Sequence, residues 1–168
     1  MASSNRAVKV AEKPRRKAAS SASYGQDFFA WSFEQARALR EHRTAALDWE
    51  NLAEEIESLG KSDRREVRSR LNVILIHLLK WQVQTEQRSG SWRATIRTQR
   101  RDLEVVLTDS PSLRPHVPAF VAEVYPRARL DAAEEMELVP SAARMLPEKC
   151  PFTVAQILDN EFFPDGRS

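Results

Sequence analysis

The sequence predicts an all-α protein: a compact bundle of about five main helices, with a Pro-rich C-terminal segment wrapping back onto it. Three observations predict it. Apolar residues recur at three- and four-residue spacing through five long stretches. Short breaks carrying caps and stops separate those stretches, among them Gly60, Gly90 and Asp109-Ser110-Pro111. Short connections of this kind make neighbouring helices antiparallel. Finally, Val73 to Leu79 is apolar nearly all round over two turns, which marks a helix buried on several faces.

Taken in order, the first helix is expected from about Asp27, an N-cap residue type, to Arg43, with Phe28, Trp31, Gln35 and Leu39 at helical spacing. The second is expected from about Asp48 to Leu59, its stripe made of Trp49, Leu52, Ala53, Ile56 and Leu59, with Gly60 as its C-terminal stop. The third, Ser62 to about Glu86, carries Val67, Leu71, Ile74, Leu78 and Trp81 on one side and is the expected central helix. The fourth runs from about Trp92 to Thr108. The fifth runs from about Pro118 to Glu137, with Pro126 inside it, where a proline kinks or splits a helix. Beyond Leu138, prolines break the chain into short pieces, and Thr153 is placed to cap one more short helix. Phe152, Ile157, Leu158, Phe162 and Phe163 are too apolar for a free tail.

Length and charge set the organisation. The 168 residues suit a single helical-bundle domain over residues 24–168 behind a disordered basic tail, residues 1–23. That tail holds six basic residues against one acidic, so the remainder carries 20 basic and 23 acidic. The basic character therefore belongs to the tail and implies no basic face on the folded part. The tail lacks the apolar side chains that would offset the entropy of ordering it. Its Ser/Ala-rich, acid-poor composition loosely resembles an organelle transit peptide, a minor alternative to the cytoplasmic location expected. One cysteine, Cys150, excludes an intrachain disulfide. Its apolar setting reads as packing rather than as a nucleophile. No apolar run reaches bilayer length. Four glycines and the absence of any phosphate-loop, dinucleotide, nucleophile-elbow or zinc signature exclude the familiar nucleotide sites and hydrolase motifs.

The chemistry-bearing residues form two groups. Glu55 and Glu57 flank the stripe of the second helix, while His77 sits among apolar residues of the third with Lys80 near it. Carboxylates and histidine on facing helices are how bundle metal sites are built. The Glu-x-x-His spacing is missing, however. A core histidine bonded to a carboxylate, with the glutamates paired to arginines, explains the same residues without a metal. Arg93, Arg97, Arg100 and Arg101 share a face of the fourth helix beside Trp92, a pattern found in nucleic-acid binding. Pairing of those arginines with glutamates across helices is the structural explanation.

These segments resemble the domain-of-unknown-function family numbered 29. The likeness lies in Tyr24-Gly25-Gln26-Asp27-Phe28-Phe29-Ala30-Trp31, Glu50 to Gly60, His77-Leu78-Leu79-Lys80-Trp81-Gln82, Ser91 to Ile96, Ser110 to Leu113 and Cys150-Pro151-Phe152. The resemblance implies a compact helical bundle in a bacterial-type cytosolic protein and supplies no activity. It marks Glu55, Glu57, His77, Lys80, Trp81, Trp92, Arg93 and Gln99 as belonging to the family pattern. Pro126 departs from it. The resulting expectation is a non-enzymatic interaction or structural module without a cofactor, forming a homodimer through an exposed aromatic helix face or binding another protein. The alternatives are a metal-binding or hydrolytic site on Glu55, Glu57 and His77, and a nucleic-acid-binding accessory using the arginine stripe and the tail.

Overall fold

The computed structural model describes residues 24–137 and 146–165. The expected tail, residues 1–23, lies outside the described residues. All regular structure among the described residues is helical. They fall into two compact units that meet in sequence between Glu55 and Ile56.

In the first unit, α1 spans Phe28–Arg40. The Asp27 carboxylate accepts from the Ala30 backbone N–H at 2.9 Å, which caps the helix start. The helix ends three residues before the expected Arg43, because His42 takes a left-handed backbone with φ 55°. A 3-10 turn over Thr44–Ala46 follows. Asp48 then accepts from Asn51 N–H and from the Trp31 indole, while its own N–H donates to Gln35. That network ties α1 to the first turn of α2. Hydrogen bonding from Asn51 holds the Asp48 carboxyl below its ordinary range.

The expected second and third helices are one. α2 runs unbroken over Trp49–Val83, 35 residues, or about 50 Å at 1.5 Å per residue. Gly60 does not stop it, because a glycine stop requires a left-handed φ and no described glycine adopts one. The Lys61 ammonium donates to Glu57 at 2.9 Å across the glycine, adding helical support at that point. A Cβ at Gly60 would meet nothing within 4 Å. Gly60→Ala is therefore expected to raise stability by about 1 kcal/mol, the difference in helix propensity. A urea melt reads this directly. Loss of stability would mean that the helix breaks at Gly60 after all.

In the second unit, α3 spans Gly90–Asp109, capped by Ser89, whose hydroxyl accepts from Trp92 N–H. A 3-10 stretch over Pro111–His116 leads into α4, Val117–Glu135. Pro126 does not split α4. Pro126 and Ala122, whose carbonyl the proline leaves without an N–H donor, are both exposed residues. α5 is the short helix Val154–Leu158, with Thr153 and Gln156 forming a reciprocal capping box.

The core of this unit is built around α2. Leu71, Ile74, Leu75, Leu78 and Leu79 are each fully buried, on more than one side of the helix. Against them pack Ile96, Leu103 and Leu107 of α3, then Phe120, Tyr125 and Ala128 of α4. The C-terminal segment does return to this core, inserting Leu146, Phe152 and Ile157. No helix among the described residues is long and apolar enough to cross a membrane.

Candidate functional site

The densest polar and aromatic cluster lies in the second unit, where the end of α2, the start of α3 and the C-terminal segment meet. Its residues come from three parts of the chain. Lys80 and Trp81 end the apolar stripe of α2. Trp92 and Arg93 open α3 behind the Ser89 cap. Phe163 arrives with the C-terminal segment.

Lys80 is buried along its stem, and its ammonium donates to Glu135 at 2.7 Å. The same ammonium lies 4.6 Å from the centroid of Trp92. The pair joins residues 55 apart in sequence, so no local signal announces it. His77 sits one turn earlier. Its Nδ1 lies 3.0 Å from the Val73 carbonyl. Since a carbonyl only accepts, Nδ1 carries the proton and Nε2 keeps the lone pair in the neutral ring. Burial, reinforced by the Lys80 charge, pushes His77 below its ordinary range against the opposing pull of the Val73 carbonyl and Glu135.

Four guanidinium groups surround the ring of Phe163 or that of Trp81, which lie 4.9 Å apart. Arg88 and Arg93 stand 5.3 and 5.4 Å from the Trp81 centroid. Arg93, Arg97 and Arg100 stand 5.5, 5.9 and 5.7 Å from Phe163. Arg88 donates from Nε to the Trp81 carbonyl at 2.9 Å. Arg97 donates from Nη2 to both carboxylate oxygens of Glu161, at 3.0 and 2.8 Å.

Arg100 differs from its neighbours in being buried, with 2% of its surface exposed. It donates to three backbone carbonyls: Ile157 at 2.7 Å, Phe162 at 2.9 Å and Gln156 at 2.9 Å. Two of those carbonyls end α5, where no helical N–H remains to satisfy them. Burial pushes the guanidinium down to about 10, with the nearby Arg97 charge acting in the same direction. It is still fully charged at neutral pH. Its job is to clasp the C-terminal segment.

The six expected cluster residues do not all converge. His77, Lys80, Arg93 and Arg97 belong to this one region. Glu57 does not, for it shares α2 with His77 and stands twenty residues away, about 30 Å along the axis. The two cannot share a metal ion. The facing-helix arrangement expected for Glu55, Glu57 and His77 fails because the two helices are one rod. Glu57 pairs with Lys61, and Glu55, in the first unit, accepts from the Tyr24 hydroxyl. Among the described residues, no three His, Cys, Asp or Glu side chains gather closely enough to hold a metal. Among the described residues, the arginines of α3 do not pair with Glu57 as expected from the sequence: Arg97 pairs with Glu161, Arg100 donates to carbonyls of the C-terminal segment and Arg101 pairs with Asp102. Glu135, Glu161 and Phe163 were not singled out as site residues. Only the apolar character of Phe162 and Phe163 signalled that this segment returns.

Chemically, the arrangement offers charge and stacking rather than nucleophilic attack. The Cys150 thiol bonds to the Phe152 carbonyl, and burial pushes it up, away from the reactive thiolate. One protein-family model, described as Domain of unknown function DUF29, matches residues 23–163. No curated protein and no solved structure matches the chain.

Proposed function

The chain belongs to the DUF29 family, and on that premise we propose that it is a non-enzymatic interaction module that pairs with a second copy of itself through the outer face of α1. The observation that carries this reading is the state of α1. One face is buried through Trp31, Gln35 and Ala38, while Phe29 and Phe33 remain 72% and 63% exposed on another, their rings 4.7 Å apart. Phe28 and Leu39 are also about half exposed. An apolar patch of this kind on a short helical unit marks an interaction surface. Aromatic side chains supply most of the energy at such surfaces.

A second copy suits the face because a two-fold interface pairs the same patch with itself. α1 starts on Asp27 and ends with Arg37 and Arg40 in its last turn. Two copies laid antiparallel bring each acidic start to the other's basic end. The single free cysteine fits a reducing, cytosolic setting.

Light scattering on the eluting protein tests the reading. The expected result is a dimer. Phe29→Ser with Phe33→Ser should yield a monomer whose melting temperature at low concentration stays within a few degrees of the parent, since neither ring is buried. A parent that is monomeric at every concentration tested would sink the reading.

A further inference from the structure

Along the exposed edge of α3, in the second unit, run Arg93, Arg97 and Arg101, each four residues after the last. Arg93 stacks on Trp81 and Phe163, yet its guanidinium makes no hydrogen bond or ion pair with any described residue. The two rings hold the guanidinium in place without using its N–H groups, which leaves a donor fork for a carboxylate. Arg97 already holds one: the Glu161 carboxylate, whose side chain is 78% exposed and so is held from one side only. Among the described residues Arg101 forms its ion pair with the adjacent Asp102 and is itself largely exposed. Between Arg97 and Arg101 opens a cleft walled by Ala94, Thr98, Asn160 and Glu161.

We propose that this row is a docking track for an acidic peptide in extended conformation, and that Glu161 is a built-in stand-in for one of its carboxylates. The spacing is the argument. Residues four apart on a helix rise about 6 Å. Alternate side chains of an extended chain point the same way and repeat every 6.6 to 6.8 Å or so. Acidic residues at every second position would meet successive arginines. Nucleic acid fits less well. The rings of Trp81 and Phe163 are covered by guanidinium groups, so they offer no platform for bases. Asp102 and Glu104 also interrupt the positive edge. The track belongs to the second unit and α1 to the first, and the proposal stands whether or not the protein dimerises.

The test uses the full chain and two peptides of equal charge, acetyl-Glu-Ala-Glu-Ala-Glu-amide and its block isomer acetyl-Glu-Glu-Glu-Ala-Ala-amide. Binding is followed by tryptophan fluorescence, since Arg93 lies against Trp81. The alternating peptide is expected to bind several-fold more tightly than the block isomer, a difference that the basic N-terminal residues cannot produce because they sense only net charge. Replacing Arg93, Arg97 and Arg101 with glutamine should weaken it about tenfold and remove the preference. Glu161→Gln should strengthen it by about two- to five-fold, the worth of an exposed ion pair. All three arginines are exposed, and a melt confirms that the variants fold. Equal binding of the two peptides, indifference to the triple substitution, or no gain from Glu161→Gln would each overturn the proposal. So would a pentathymidylate that binds more tightly than either peptide in an arginine-dependent way, which would make the row a nucleic-acid surface.

Discussion

Arg100→Ala is expected to destabilise the protein by about 3 to 5 kcal/mol. The guanidinium satisfies three carbonyls of the C-terminal segment from a site with almost no contact with water. A hydrogen bond from a charged donor contributes roughly 1.5 to 3 kcal/mol, and a buried carbonyl left without a donor costs a further 1 kcal/mol or more. Part of this is returned, because the variant no longer keeps a charge in a desolvated site. The remainder is still large. For a chain of this size it corresponds to a fall of roughly 6 to 20 °C in melting temperature. Arg100→Lys should recover little, since one ammonium cannot span the three carbonyls that the planar fork reaches. Urea denaturation of the two variants measures both effects. A loss below about 1 kcal/mol would show that the apolar insertions and the other contacts of the segment hold it without the clasp. The clasp also matters for the acidic-peptide track, because Glu161 and Phe163 lie on the same segment.

Leu78→Ala is expected to cost about 3 kcal/mol, and Leu59→Ala less than about 0.5 kcal/mol. Both leucines lie on α2, Leu59 in the apolar stripe that starts at Trp49 and Leu78 in the one that ends at Trp81. Leu78 is fully buried in the core of the second unit, so truncation leaves a cavity and loses transfer energy together. Leu59 is 69% exposed and leaves no cavity. Paired chemical melts with matched slopes distinguish the cases. Comparable losses at the two sites would mean that Leu59 is covered in solution.

That contrast explains much of what was readable in the chain. Apolar periodicity states which side of a helix is apolar. It does not state whether another element lies there. Val67 to Trp81 and Trp49 to Leu59 carry the same pattern, yet Val67, Leu71, Ile74 and Leu78 are core residues with α3, α4 and the C-terminal segment, while Trp49, Ile56 and Leu59 are exposed. Caps were legible at Asp27 and Thr153, because capping depends on a side chain and the N–H groups two or three residues on; the Ser89 cap shows only in the structure. Gly60 was misread because residue type permits a left-handed stop without requiring one. Once α2 is continuous, the supposed metal set separates along it.

The site was less legible than the fold, for a related reason. His77 was expected to meet a carboxylate and instead donates to the Val73 carbonyl one turn back. Lys80 finds Glu135 and Arg97 finds Glu161, across 55 and 64 residues. Nothing local to Lys80 or Arg97 encodes those partners.

By itself, then, the sequence determined the helical class, several capped helix starts, the buried stretch of α2 and the return of the C-terminal segment, because each depends on interactions within a few residues or on bulk apolarity. The tertiary structure alone decided that α2 is one continuous helix, that Arg100 is a buried clasp, and that Arg93 lies against Trp81 and Phe163 with no ion pair to any described residue. Those outcomes depend on which distant side chains arrive at the same place, and that depends on how the helices pack.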